Sequence, residues 1–164
     1  MEDIYIQNAR TYTARHGLQL AERLGFGVHG IIHVAESNSN PGKTAIKIHR
    51  HTEPYFRERE IYEMLKAAHI SELCGFHVPQ FLGADDELRI IEMTIVTRPF
   101  VLDFAGAYPG RRPDFPDETW ERWEAQKRDQ FDAHWPTVQA ILAELESMKI
   151  HLVDISPSNI AFVD

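Results

Sequence analysis

His151-Leu-Val-Asp154-Ile-Ser-Pro-Ser-Asn159-Ile-Ala-Phe-Val-Asp164 is the stretch whose reading decides the fold. A carboxylate and a carboxamide stand five positions apart, with a proline between them and short apolar runs on both sides. Hydrophobic segments pin both ends of such a loop, so its polar side chains can converge in a cleft. The aspartate can accept a proton or orient a hydroxyl, and the asparagine oxygen can ligate a hard cation such as Mg2+. An Asx-type turn closing a strand accounts for the same spacing. The residues upstream have to choose between the two.

Working outward, Leu18–Leu24 alternates as a strand does and runs into Gly25-Phe-Gly27-Val-His-Gly30. Ile31–Ala35 and Thr44–Ile48 are rich in β-formers, and Ser37-Asn-Ser-Asn-Pro-Gly42 is a turn on composition. Residues 18–48 therefore read as three antiparallel strands, with residues 1–16 as a short strand or irregular lead-in. Past Pro54 the period changes to that of a helix, with Phe56, Ile61, Met64, Leu65 and Ala68 as its apolar positions. Val78–Gly83 and Leu88–Val96 read as a hairpin joined by the acidic turn Ala84-Asp-Asp-Glu87. The composition shifts at Thr97-Arg-Pro-Phe. A breaker-rich loop, a polar helix from Asp117 to Asp132 and a helix beginning at Pro136 follow. The order is α+β: a β-rich unit over residues 1–97 with five strands and one helix, then a mainly helical unit over 98–164.

A chain of 164 residues with 43% hydrophobic and 26% charged residues can bury a core. The net charge of −8 opposes general binding to nucleic acid or an anionic membrane. A single cysteine, Cys74, excludes an internal disulfide and reads as a buried small side chain in a reducing compartment. No run approaches the ~18 apolar residues of a membrane span, and the start of the chain lacks the pattern of a signal peptide. The expectation is a cytoplasmic protein.

Gly25-x-Gly27-x-x-Gly30 can bring backbone N–H groups against phosphates, although glycines also serve ordinary hairpins. A dinucleotide fold needs such a loop to open a helix, and here β-branched residues follow. Lys47, in the apolar strand Thr-Ala-Ile-Lys, needs an anion if its ammonium faces a core. Glu60 on the following helix is the expected partner, with Glu63 one turn further as a fallback. His49-Arg-His51 with Glu53 is a weak metal-site pattern without a third well-placed ligand.

Taken together, Gly25-Phe-Gly27-Val-His-Gly30, Ala45-Ile-Lys47, Arg59-Glu60-Ile61 and Asp154-Ile-Ser-Pro-Ser-Asn159 fall in the order of the protein-kinase signatures. From about residue 18 onward the chain resembles the protein-kinase-like superfamily. The resemblance implies an ATP- and Mg2+-binding fold with the cleft between a five-stranded N-lobe and a truncated, mainly helical C-lobe. By position, Gly25, Gly27 and Gly30 would cover the phosphates, and Lys47 braced by Glu60 would hold them. Glu92 and the residues just after it would form the hinge strand whose backbone meets adenine. Asp154 would be the base and Asn159 a metal ligand.

The departures from the family are specific. Leu152 and Val153 replace its His-Arg, and Ser156 replaces the lysine two residues after the aspartate. The family's Asp-Phe-Gly belongs beyond Asn159, where Asp164 is the only aspartate. Two functions follow as expectations: a phosphotransferase, or a catalytically impaired pseudokinase acting as a binding or scaffold module. A fragment of a longer kinase is a third account of the same features. The apolar strand over residues 160–163 would leave an edge suited to a protein partner or a homodimer.

Overall fold

The computed structural model describes residues 3–27, 29–39 and 42–163. In chain order it has α1 (Ile4–Arg15), β1 (Leu18–Phe26), β2 (Gly30–Ser37), β3 (Lys43–His49) and α2 (Thr52–Ala67). Then come β4 (Glu72–Leu73), β5 (Phe76–His77), β6 (Phe81–Asp85) and β7 (Ile90–Thr94). The second half carries β8 (Phe100–Val101), β9 (Ala107–Pro109), α3 (Asp117–Phe131), α4 (Trp135–Ser147), β10 (Ile150–Leu152) and β11 (Ile160–Ala161). The architecture is α+β, around a five-stranded antiparallel sheet in the order β1-β2-β3-β7-β6.

Strand alternation divides the residues of that sheet between two cores. On β3, Ile46 and Ile48 face α1 and join Ala9, Tyr12 and Ile90, whereas Ala45 and Lys47 face the opposite side. That second side continues through Ile61, Leu65, Val138, Ile141 and Ile160, so one core joins the sheet to the helices of the second half.

Residues 4–15 form a helix rather than a strand or lead-in. Its N-cap Asp3 accepts a hydrogen bond from Tyr5 N, and its buried stripe is Ala9, Tyr12 and Thr13. Tyr12 fixes the helix to the sheet by donating to Glu92 Oε1 at 2.8 Å, while Thr44 donates to Glu92 Oε2 at 2.9 Å. Tyr12→Phe removes a bond to a charged acceptor and is expected to lower stability by about 1.5 kcal/mol. Urea unfolding measures it, and an unchanged midpoint would mean that apolar packing alone docks α1.

Cys74 is not buried. It is exposed in the turn of the β4–β5 hairpin, where its backbone N–H donates to Glu144 Oε2 at 3.0 Å. Strand β11 is only two residues long, and both are buried. It pairs with β8, in a second sheet ordered β11-β8-β5-β4. β11 is thus an edge strand of that sheet, shorter than the 160–163 expected, and Phe162 past its end packs edge-on against Phe76. No described helix is long and apolar enough to cross a membrane.

Candidate functional site

A cleft of about 420 Å³ lies between the β1–β2 hairpin and the segments around β8 and β11. One end is apolar, lined by Leu24, Phe26, Ile32, Ala45 and Met93; the other holds Lys47, Glu58, Asp103 and Asn159. Leu24 and Phe26 are 52% and 70% exposed, so two large apolar side chains stand open at the mouth. An elongated ligand with a flat apolar part and an anionic part matches this division.

The hairpin forms as its sequence demands. Gly27 N donates to Gly30 O at 2.9 Å, closing the turn between β1 and β2. The glycines differ in what requires them. A Cβ on Gly30 would come within 2.3 Å of Ile48 O, so Gly30 is needed for β2 to lie against β3. Cβ atoms at Gly25 and Gly27 would meet nothing within 4 Å, and both residues line the cleft.

Lys47 is 4% exposed and its ammonium lies 2.8 Å from both Glu58 Oε1 and Asp103 Oδ1. The carboxylate that braces it is Glu58, not Glu60. The buried stripe of α2 is Tyr55, Glu58, Ile61, Tyr62 and Leu65, and Glu60 points away from it into solvent. Glu63 is also turned outward, where it pairs with Arg59 at 3.1 Å. Glu58 is fully buried and fully partnered: His49 Nε2 lies at 2.6 Å from Oε1, and Phe104 N donates to Oε2 at 2.7 Å. Burial alone would raise the carboxyl's pKa, but the charge of Lys47 and the bonds from His49 and Lys47 outweigh it and hold the group at about 2. Burial likewise lowers the Lys47 pKa, and the charges of Glu58 and Asp103 more than reverse that. His49 is thereby spent on Glu58. Among the described residues no three His, Cys, Asp or Glu side chains are grouped to hold a metal ion by themselves.

Glu92 does not reach the cleft. Alternation on β7 turns it toward α1, and Gly83 and Ile46 already flank it in the ladder. The cleft is bordered instead by Met93, Thr94, Ile95 and Val96. Of these, Ile95 and Val96 lie past the end of β7, outside the ladder.

Asp154 and Asn159 are held in one closed loop. Asn159 Nδ2 donates to Asp154 O at 3.0 Å and its Oδ1 accepts from Ser156 N at 2.7 Å, the Asx-type closure that its spacing allows. The turn reading and the cleft reading are thus compatible, because Asn159 also lines the cleft. The Asp154 side chain is 64% exposed, and His29 at the hairpin turn approaches it at 3.6 Å. From α3, Trp123 Nε1 donates to Val153 O at 3.0 Å and Lys127 Nζ to Ile155 O at 2.7 Å. Burial lowers the Lys127 pKa and the charge of Asp154 partly restores it. A cation therefore stands beside the loop even though position 156 is serine. Asp164 lies outside the described residues.

Two residues of the site were not anticipated. Glu58 was legible in the sequence, since the stripe Tyr55-Glu58-Ile61/Tyr62-Leu65 has better helical phase than one begun at the exposed Phe56. Asp103, between β8 and β9, carried a weaker signal in the run Asp103-Phe-Ala-Gly106. Compared with protein-family models, curated proteins and solved structures, the chain matches none.

Proposed function

We propose that the protein binds ATP in this cleft as a protein-kinase-like phosphotransferase. The observation that carries the reading is the buried Lys47–Glu58 pair, set under a glycine hairpin and facing the Asp154–Asn159 loop. A buried ammonium with a fully occupied carboxylate on one side and an open cleft on the other suits phosphate oxygens. The apolar end with Leu24 and Phe26 suits the base, and Ile95 and Val96, which line the cleft past the end of β7, would offer its edge free backbone groups.

In this reading Asp154 takes the proton of an acceptor hydroxyl. The hydroxyl oxygen bonds to the γ-phosphorus while the bond from that phosphorus to the bridging oxygen breaks, releasing ADP. Asn159 fits a Mg2+ ligand. Beside Ser156 N at 2.7 Å, its Oδ1 has only the distant Ser156 Oγ at 3.5 Å. That hydroxyl can turn its proton to Ser158 Oγ at 2.7 Å and leave the second lone pair to a cation. Mg2+ would neutralise charge on the phosphates. Lys127 adds a fixed positive charge on the Asp154 side of the loop.

ATP at a hundred times its dissociation constant should stabilise the fold by about 2.7 kcal/mol, raising Tm by about 5–10 °C. The measurement is a thermal melt with ATP, ADP and AMP, each with and without Mg2+. Absence of a shift with every nucleotide would remove the nucleotide reading. Removal of only the AMP shift would be consistent with recognition centred on the phosphates at Lys47.

A further inference from the structure

Asn159 alone is a poor holder of Mg2+, which takes at least one carboxylate beside nucleotide phosphates. We propose that the carboxylate of Asp103, which precedes the Asp154–Asn159 loop in the chain, joins the Asn159 side-chain oxygen in a divalent-cation site at the cleft floor. This deepens the nucleotide reading and rests on it.

Strand pairing puts the two residues together. β8 and β11 run antiparallel, with Val101 opposite Ile160 and Phe100 opposite Ala161. The ladder continues one step further, as Leu102 N donates to Asn159 O at 2.9 Å. The chain leaving β8 and the chain entering β11 therefore meet at the same end of the ladder, and that end opens into the cleft. An antiparallel pair does this whichever strand comes first in sequence, so the carboxylate need not lie downstream of the asparagine.

The local backbone aims the side chain. Asp103 has φ +70°, a left-handed conformation that aspartate tolerates better than most residues, and its carboxylate turns to Lys47. Phe104 behind it is fully buried, packs edge-on against Tyr62 and donates its N–H to Glu58. Arg57 donates to Ala105 O from Nε and Nη2, and Gly106 backs onto Asp154. The four residues Asp103–Gly106 thus tie the Lys47–Glu58 pair to Asp154.

Two carboxylates touch Lys47, but only one is available to a ligand. Glu58 is sealed with three partners, whereas the Asp103 side chain is 32% exposed and lines the cleft. One carboxylate and one amide oxygen leave most of an octahedral shell to water and phosphate oxygens, which is how Mg2+ is ordinarily held beside nucleotides. The cation and the nucleotide should therefore bind interdependently, each weakly without the other.

The test is calorimetric titration of ATP into wild type and Asp103→Asn, in EDTA and in Mg2+. In wild type Mg2+ should tighten ATP binding about tenfold or more. In Asp103→Asn that gain should vanish, so the readout is the ratio of the affinities with and without Mg2+ in each protein, whatever the change in metal-free ATP affinity. An equal Mg2+ gain in both proteins overturns the assignment to Asp103 and leaves the nucleotide reading standing. No ATP binding by wild type, with or without Mg2+, overturns both. A second measurement needs no variant: Fe2+ with ascorbate and peroxide, in the presence of ATP, should cleave the wild-type backbone near residues 103 and 159. Cleavage elsewhere with none at 103 would overturn the site even if Asp103→Asn fails to fold.

Discussion

Glu58→Ala is expected to destabilise the protein by about 3–5 kcal/mol, whereas Glu60→Ala should stay within about 0.5 kcal/mol of wild type. Glu58 is buried with Lys47, His49 and Phe104 N all bonded to its oxygens. Truncation leaves a buried ammonium with Asp103 alone and strands a buried N–H and a buried ring nitrogen. Glu60 is exposed and loses little. Urea unfolding followed by tryptophan fluorescence compares the two, and equal effects would return the brace to Glu60. Replacing both partners, as Lys47→Met with Glu58→Leu, should cost less than the sum of the single changes, since neither charge is then left alone.

The same pair sets a pH dependence with a definite sign. Glu58 is held at about 2, below its ordinary 4.5, so its stabilisation is complete above about pH 4.5 and is lost as pH falls toward 2. Lys47 is raised above its ordinary 10.5, so its contribution is present below that pH and is lost as pH rises through the folded value. The Glu58→Ala protein should show a flatter acid limb than wild type.

The contrast between Glu58 and Glu60 also marks what was legible in the sequence. The sheet, the hairpin of β6 and β7, and helices α2 to α4 follow from periodicity and breakers, with boundaries displaced by a few residues. Beginning the α2 stripe at Phe56 instead of Tyr55 rotated the helix by one residue, about 100°, and handed the lysine's partner to the wrong glutamate. Helix α1 was missed because its buried face is Ala9, Tyr12 and Thr13, which carries little hydrophobic contrast. Its bounds were visible, in Asp3 as a cap and Gly17 beyond the end. The Glu92 side chain alternates with Ile91 and Met93 on β7 and turns to α1, so only the residues after it on the expected hinge strand line the cleft. Apart from the run Asp103-Phe-Ala-Gly106, nothing local marks Asp103. Its place depends on the pairing of two strands of two residues each, and runs of that length have no periodicity to read.

Asp154→Asn is expected to slow ATP turnover about a hundred- to ten-thousand-fold while leaving the nucleotide-induced rise in Tm intact. The side chain is mostly exposed and touches neither the Lys47–Glu58 pair nor the apolar end of the cleft, so its loss should fall on chemistry rather than binding. Its position, by contrast, is tightly held. Asn159 bonds its carbonyl, while Trp123 and Lys127 of α3 bond the carbonyls on either side. A methyl group on Gly106 would stand 2.5 Å from Asp154 Cβ and must push it aside. Gly106→Ala therefore moves the carboxylate without changing its chemistry, and displacement by about an ångström can itself cost about a hundredfold. Hydrolysis of ATP by water serves as the assay, so no acceptor has to be identified. Equal rates in wild type and Asp154→Asn would remove the base role. A wild-type protein that binds ATP and turns none over would instead be a nucleotide-dependent binding module. Slow Asp154→Asn with unimpaired Gly106→Ala would mean that the loop yields and that α3 does not set the geometry. Loss in both variants, with nucleotide binding intact in each, requires both the carboxylate and its fixed position, and that combination separates a catalytic loop from a turn that happens to face a cleft.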